Sequence, residues 1–258
     1  MGISPSGLTC LASVPQATHR LLCFPHAGGN ASAFRRLASM LTRSLQGRVS
    51  VWAIEYPGHG TRSHEQPLHD CQRLVNTLVE ELAAFVQAGP YCVLGVSLGA
   101  LLSCEVVRAL QQQNAPLPDH LYVAACGAPH LQRPLRYGSD TEIWAYLRNV
   151  GGDAVSEAFL DRTWAAITAD FSVRTSYLSS DSAVALLCPI TAFGGKQDAE
   201  VSETALLAWQ EQTRSQSFKH VLLEGGHFFW QHNRTVFFPL LANALAETLR
   251  QPVGGEQH

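Results

Sequence analysis

Six short apolar runs recur along the chain, and what separates them decides the fold. The runs are His19–Phe24, Val49–Tyr56, Tyr91–Val96, His120–Cys126, Cys188–Phe193 and Phe218–Leu223. Each is apolar on both faces, which suits strands buried between two layers of helices. Between them lie segments with apolar residues at helical spacing: Ala31–Leu45, Leu68–Val86, Leu98–Gln112, Val201–Thr213 and Val236–Arg250. Strands alternating with helices predict an α/β domain around a mainly parallel sheet.

One interval breaks the alternation. Some 60 residues separate the fourth and fifth runs, with helical patterns near Asp140–Val150 and Ser156–Leu178 joined at Gly151-Gly152. This insertion, about residues 130–185, carries apolar faces of its own (Ile143, Trp144, Leu147; Phe159, Trp164, Ile167, Phe171) and is expected to form a lid. Residues 1–18 have no basic stretch followed by an apolar core, so they are read as a mobile tail rather than a signal peptide, and residues 19–258 as a single domain.

Composition removes several function classes. The net charge of the 258-residue chain is −3, and no basic stripe or zinc-finger spacing occurs, so neither nucleic acid nor an anionic membrane is an expected partner. Seven cysteines without C-x-x-C pairs read as reduced, core-filling residues of a cytoplasmic protein. His59, His64 and His69 recur every five residues, a spacing that suits no zinc motif, and no metal or organic cofactor is expected.

The third run ends in "GVSLGA". The G-x-S-x-G pattern is that of a nucleophile elbow, a sharp strand-to-helix turn presenting a serine. A serine hydroxyl is a weak nucleophile and needs a base, itself oriented by a third group. In this arrangement acid and base follow the serine, each just past a later strand. "GGKQD" after the fifth run supplies Asp198, and "GGHFF" after the sixth supplies His227. Glu224 lies too close to His227 to orient it, and His232 opens the final helix. The oxyanion hole is expected from the N–H of Leu98 and, in "FPHAGGN" after the first run, that of Ala27, with His26 supporting the loop.

Taken together, "LLCFPHAGG", "EYPGHGTR", "GVSLGA", "LRNVGG", "ADFSVRTSYL", "CPITAFGGKQDAEV" and "LEGGHFFW" resemble the type II thioesterases that accompany polyketide and nonribosomal peptide synthases. The resemblance runs from about residue 20 to residue 248. It implies an α/β-hydrolase fold with a helical lid, and hydrolysis of acyl thioesters from the phosphopantetheine arm of an acyl- or peptidyl-carrier protein. It maps the catalytic residues onto Ser97, Asp198 and His227 and the oxyanion donors onto Ala27 and Leu98. The enzyme is expected to be a monomer. Two positions depart from the family: Val96 stands where histidine is usual, and His59 where arginine is usual. The acid follows the later strand, as in stand-alone editing enzymes, since "AACGAPH" after the fourth run holds no carboxylate. Arg35, Arg36 and Arg62 are candidates for an entrance rim meeting an acidic carrier. Two other functions fit the same residues: a small-molecule esterase or lactonase, and a non-catalytic binding protein on a hydrolase fold.

Overall fold

A computed structural model describes residues 7–132, 139–151, 157–177 and 184–250. Seven strands form one sheet: β1 (Leu8–Ala12), β2 (His19–Phe24), β3 (Val49–Ile54), β4 (Tyr91–Val96), β5 (His120–Ala124), β6 (Ile190–Gly195) and β7 (Phe218–Leu223). Their order is β1-β3-β2-β4-β5-β6-β7. Every pairing from β3 to β7 is parallel, and β1 alone is antiparallel. The helices are α1 (Arg35–Ser44), α2 (Cys71–Gln87), α3 (Leu98–Gln112), α4 (Asp140–Gly151), α5 (Glu157–Ser176), α6 (Glu203–Leu207), α7 (Phe229–His232) and α8 (Arg234–Thr248).

Alternate strand residues feed two separate cores, which places helices on both faces. Leu22, Phe24, Val93, Leu121 and Val123 pack with α2, α3 and α6. Leu21, Cys23, Leu94, Tyr122 and Ala124 pack with α1, α7 and α8. This period-two division is why the runs read as apolar throughout. Val96 belongs to the second core and is fully buried there, so the departure at this position faces packing rather than the site. Of the cysteines, Cys10 is exposed and the other six are buried, all seven as free thiols.

Local chemistry sets several boundaries. Helix α2 starts at Cys71 rather than Leu68, because the Asp70 side chain accepts the Arg73 N–H at 2.8 Å and caps the helix. Strand β6 starts after Pro189, whose missing N–H cannot extend the ladder. The expected helix over 201–213 shortens to α6 and a 3-10 turn at Ala208–Gln212.

The segment read as a mobile tail needs correction. Leu8–Ala12 is an edge strand paired with β3, and Leu8 is buried; residues 1–6 lie outside the described residues. Within the insertion, residues 133–138, 152–156 and 178–183 also lie outside them, Gly152 of the joint included. Ile143, Ile167 and Phe171 of α4 and α5 form a small apolar cluster against Ala27. Val173 and Tyr177 reach the main core, and the Tyr177 hydroxyl donates to Glu105 at 2.8 Å.

Candidate active site

The sheet ends converge on Ser97. Its backbone is in the left-handed region (φ 52°, ψ −116°), where a non-glycine residue is strained. Backbone hydrogen bonds hold it there. The Ser97 N–H donates to Ala124 O at 2.8 Å, and the Ala100 N–H donates to Ser97 O at 2.9 Å. Gly99 lets α3 touch the end of β2: a Cβ there would lie 2.6 Å from the Phe24 carbonyl carbon and 2.6 Å from Pro25 O.

Asp198 and His227 arrive on two loops laced together. Lys196 N–H donates to Leu223 O at 2.8 Å and Gln197 N–H to Gly225 O at 3.0 Å. Gly195 permits the approach, since a Cβ on it would lie 2.6 Å from Gly226 O. The result is a relay of three side chains. Ser97 Oγ lies 2.9 Å from His227 Nε2, and His227 Nδ1 lies 3.0 Å from Asp198 Oδ2. The Asp198 side chain is fully buried and its other oxygen accepts the Glu200 N–H at 2.9 Å. A carboxylate only accepts, so His227 carries its proton on Nδ1 and presents the Nε2 lone pair to the serine hydroxyl. Glu224 is spent elsewhere, on Lys196 and Gln197.

Ala27 and Leu98 line the same pocket as Ser97 and His227, together with Tyr146, Leu147, Phe171 and Phe228. Among the described residues, no protein acceptor takes the backbone N–H of Ala27 or of Leu98. His26 supports the loop: its Nδ1 donates to Ala27 O at 2.9 Å, and its ring packs edge-on to Phe228 and against Trp230. Burial lowers the His26 pKa and keeps the ring neutral. A second cavity of about 220 Å³ adjoins the pocket, bounded by Cys126, Gln132, Glu200 and Val201. Tyr146, Arg174 and His227 line both spaces.

One sequence expectation ends differently. Arg62 is not at an entrance. It is buried, with its guanidinium bonded to Glu65, Glu81 and the Glu55 carbonyl, while Arg35 and Arg36 are exposed at the start of α1. His59 is buried against Asp170, while His64 and His69 are exposed. Sequence reasoning assigned no role to Asp170, whose Oδ2 accepts the Gly28 N–H at 2.7 Å inside the glycine loop. Its one signal was a lone acid within the apolar face of a helix.

A sequence profile described as "Thioesterase domain" matches residues 19–244. The gramicidin S biosynthesis protein GrsT of Aneurinibacillus migulanus is 35% identical over 221 residues, 81% of this chain and 82% of that protein. The thioesterase PikA5 of Streptomyces venezuelae is 31% identical over 223 residues, 83% of this chain and 76% of that one. Among solved structures, the type II thioesterase BorB from the borrelidin biosynthetic cluster superposes with a TM-score of 0.84 at 31% identity, covering 97% of this chain and 100% of that one. The sheet, elbow and helices are those of the α/β-hydrolase fold.

Proposed function

Because this chain belongs to the thioesterase family, we propose that Ser97, His227 and Asp198 hydrolyse acyl thioesters carried on the phosphopantetheine arm of a carrier protein. The enzyme is a thioester hydrolase of polyketide or nonribosomal peptide biosynthesis, clearing or releasing acyl groups. One observation carries the assignment of the residues. A strained serine hydroxyl lies 2.9 Å from an imidazole that is in turn oriented by a buried carboxylate at 3.0 Å.

The reaction has two halves. His227 Nε2 takes the Ser97 proton as Oγ attacks the thioester carbonyl carbon. The oxyanion forms against the Leu98 and Ala27 N–H groups, each such donor being worth about 100- to 1000-fold in turnover. The carbon–sulfur bond breaks, and the thiolate takes the proton from His227 and leaves. Water then attacks the acyl-serine, giving its proton to His227. Collapse of that intermediate returns the proton to Ser97 and frees the carboxylic acid. Asp198 holds the imidazole in the required tautomer and stabilises its charged form.

Helices α4 and α5 close over this pocket as a lid, and their apolar residues Leu147 and Phe171 favour apolar acyl groups. The partner is the carrier protein, and the enzyme acts as a cytoplasmic monomer. The seven free thiols support that setting. The test is intact-mass monitoring of acylated carrier proteins with wild type and Ser97→Ala. Hydrolysis lost with the serine is the expected result, and hydrolysis retained overturns the assignment. Simple esters turned over faster than carrier thioesters would favour a small-molecule esterase.

A further inference from the structure

Three segments far apart in sequence meet at one carboxylate. Asp170 lies on α5 and is 1% exposed. Its Oδ2 accepts the Gly28 N–H at 2.7 Å and lies 3.0 Å from His59 Nε2. His59, in the loop after β3, is buried too, and its Nδ1 lies 3.1 Å from Pro57 O. A carbonyl accepts only, so Nδ1 carries a proton. A carboxylate at Asp170 can only accept, so opposite it Nε2 donates as well and the ring is an imidazolium. The same face of α5 presents Ile167 to the loop, so closely that a Cβ on Gly28 would lie 2.6 Å from it. Ala27 is one residue from the amide that Asp170 grips. A buried ion pair adds little net stability over an apolar alternative, so its use is sought in what it fixes.

We propose that Asp170 is a positioning residue for the Ala27 oxyanion donor, and that protonated His59 holds Asp170 in place. The hole is then complete only while α5 is seated and His59 is charged. This rests on the reading of Ala27 as a donor for the thioester oxyanion.

The surroundings of His59 leave Asp170 as its counter-ion. His26 faces it from the glycine loop and is neutral. The Tyr56 ring meets it edge-on at 5.5 Å, with the hydroxyl donated to Pro25 O. Cys71, at the start of α2, has its thiol pushed up to about 12 by burial, and burial also raises Tyr56, so neither is an anion at neutral pH. Glu55 turns away to the Ala31 and Thr61 amides. Burial alone would lower the His59 pKa, but the charge and hydrogen bond of Asp170 outweigh it, so the imidazolium persists above the ordinary histidine range. As pH rises through that raised value the Nε2 proton leaves. A lone pair then opposes the carboxylate, and the grip on Gly28 slackens.

The experiment measures kcat and KM for an acylated carrier protein from acid to alkaline pH. Wild type shows an alkaline fall in kcat. His59→Gln, whose amide donates to Asp170 at any pH, loses that fall. Asp170→Asn lowers kcat about ten-fold or more, short of the about 100- to 1000-fold of an outright lost donor, with a much smaller change in KM. In the His59→Gln background that loss shrinks, because two amides can pair with each other. An unchanged alkaline limb in His59→Gln, or wild-type kcat in Asp170→Asn, overturns the proposal. Should Asp170→Asn fail to fold, the His59→Gln profile decides alone. Ser97→Ala separates the two levels: if it is inactive while Asp170→Asn is normal, only the positioning role fails, and if it is active the nucleophile itself is wrong.

Discussion

Replacing Gly99 by alanine perturbs the site without touching a reacting group. The added methyl would sit 2.6 Å from both the Phe24 carbonyl carbon and Pro25 O, where real Cβ atoms essentially never come within 3.0 Å. Both neighbours are backbone. Neither can rotate away, so β2 and α3 must separate by several tenths of an ångström across a close-packed contact. Overpacking of this kind costs about 1–3 kcal/mol, and a backbone-on-backbone clash belongs at or above the top of that span. At about 2–4 °C per kcal/mol for a chain of this size, the melting temperature should fall by roughly 6–12 °C. The displaced segment, Pro25, leads directly to Ala27. Turnover measured well below the melting transition should therefore fall about ten-fold or more, toward the about 100-fold that loss of one oxyanion donor entails. Thermal unfolding and carrier-thioester hydrolysis on the same preparation make the test. Gly226→Ala is the comparator for space, since its methyl would meet only Gln197 O at 3.5 Å. A Gly99→Ala protein with wild-type melting refutes the packing argument, and one that melts early but turns over normally refutes the link from elbow to loop.

Charge reversal of exposed Arg35 and Arg36 should raise KM for an acidic carrier protein while leaving KM for a small thioester unchanged, as steady-state kinetics on both substrates will show. Arg62→Met should act differently, lowering stability by about 2–4 kcal/mol in urea unfolding by stranding the half-buried Glu81, with little effect on carrier KM. His120 provides a pH test. Burial, with Lys219 nearby, lowers its pKa to about 4, so the unfolded chain binds that proton first as pH falls. Stability from this group is whole above about 6.5 and lost progressively down to about 4, at most about 3 kcal/mol. His120→Gln should flatten that part of a stability-against-pH curve, and an equally steep acid limb in the variant would reject the assignment.

The sheet and the relay were legible in sequence for one reason. Both are written in local patterns whose meaning does not depend on distant neighbours. A both-faces-apolar run marks a buried strand, and a glycine-rich stretch after it marks the loop that carries Ser97, Asp198 or His227. Asp170 and His59 were not legible as a pair because a lone acid on an apolar helix face and a loop histidine do not point to each other. The two residues lie 111 positions apart in the chain, and their relation exists only once α5 folds over the glycine loop. Arg62 misled for the converse reason: a charged side chain in a loop reads as exposed, and only the tertiary arrangement of Glu65, Glu81 and the Glu55 carbonyl makes it internal. β1 escaped because it is only five residues long and lies within the stretch read as a tail. Its pairing is supplied by β3.

That small strand has a consequence beyond the active site. The sheet has two margins, and they differ. β7 carries exposed Lys219 and His220, one on each face, the kind of polar border that discourages another chain from pairing. β3, "VSVWAI", has no charge at all. Left open, it would offer a flat ladder of unpaired amides and carbonyls to any second copy with the same sequence. Leu8–Ala12 occupies that ladder, and the pairing register shifts between Cys10 and Ala12, which interrupts the outermost edge. A chain started at residue 19 would keep its relay and its pocket yet carry a templating surface, and its expected fate on concentration is edge-to-edge aggregation rather than loss of chemistry.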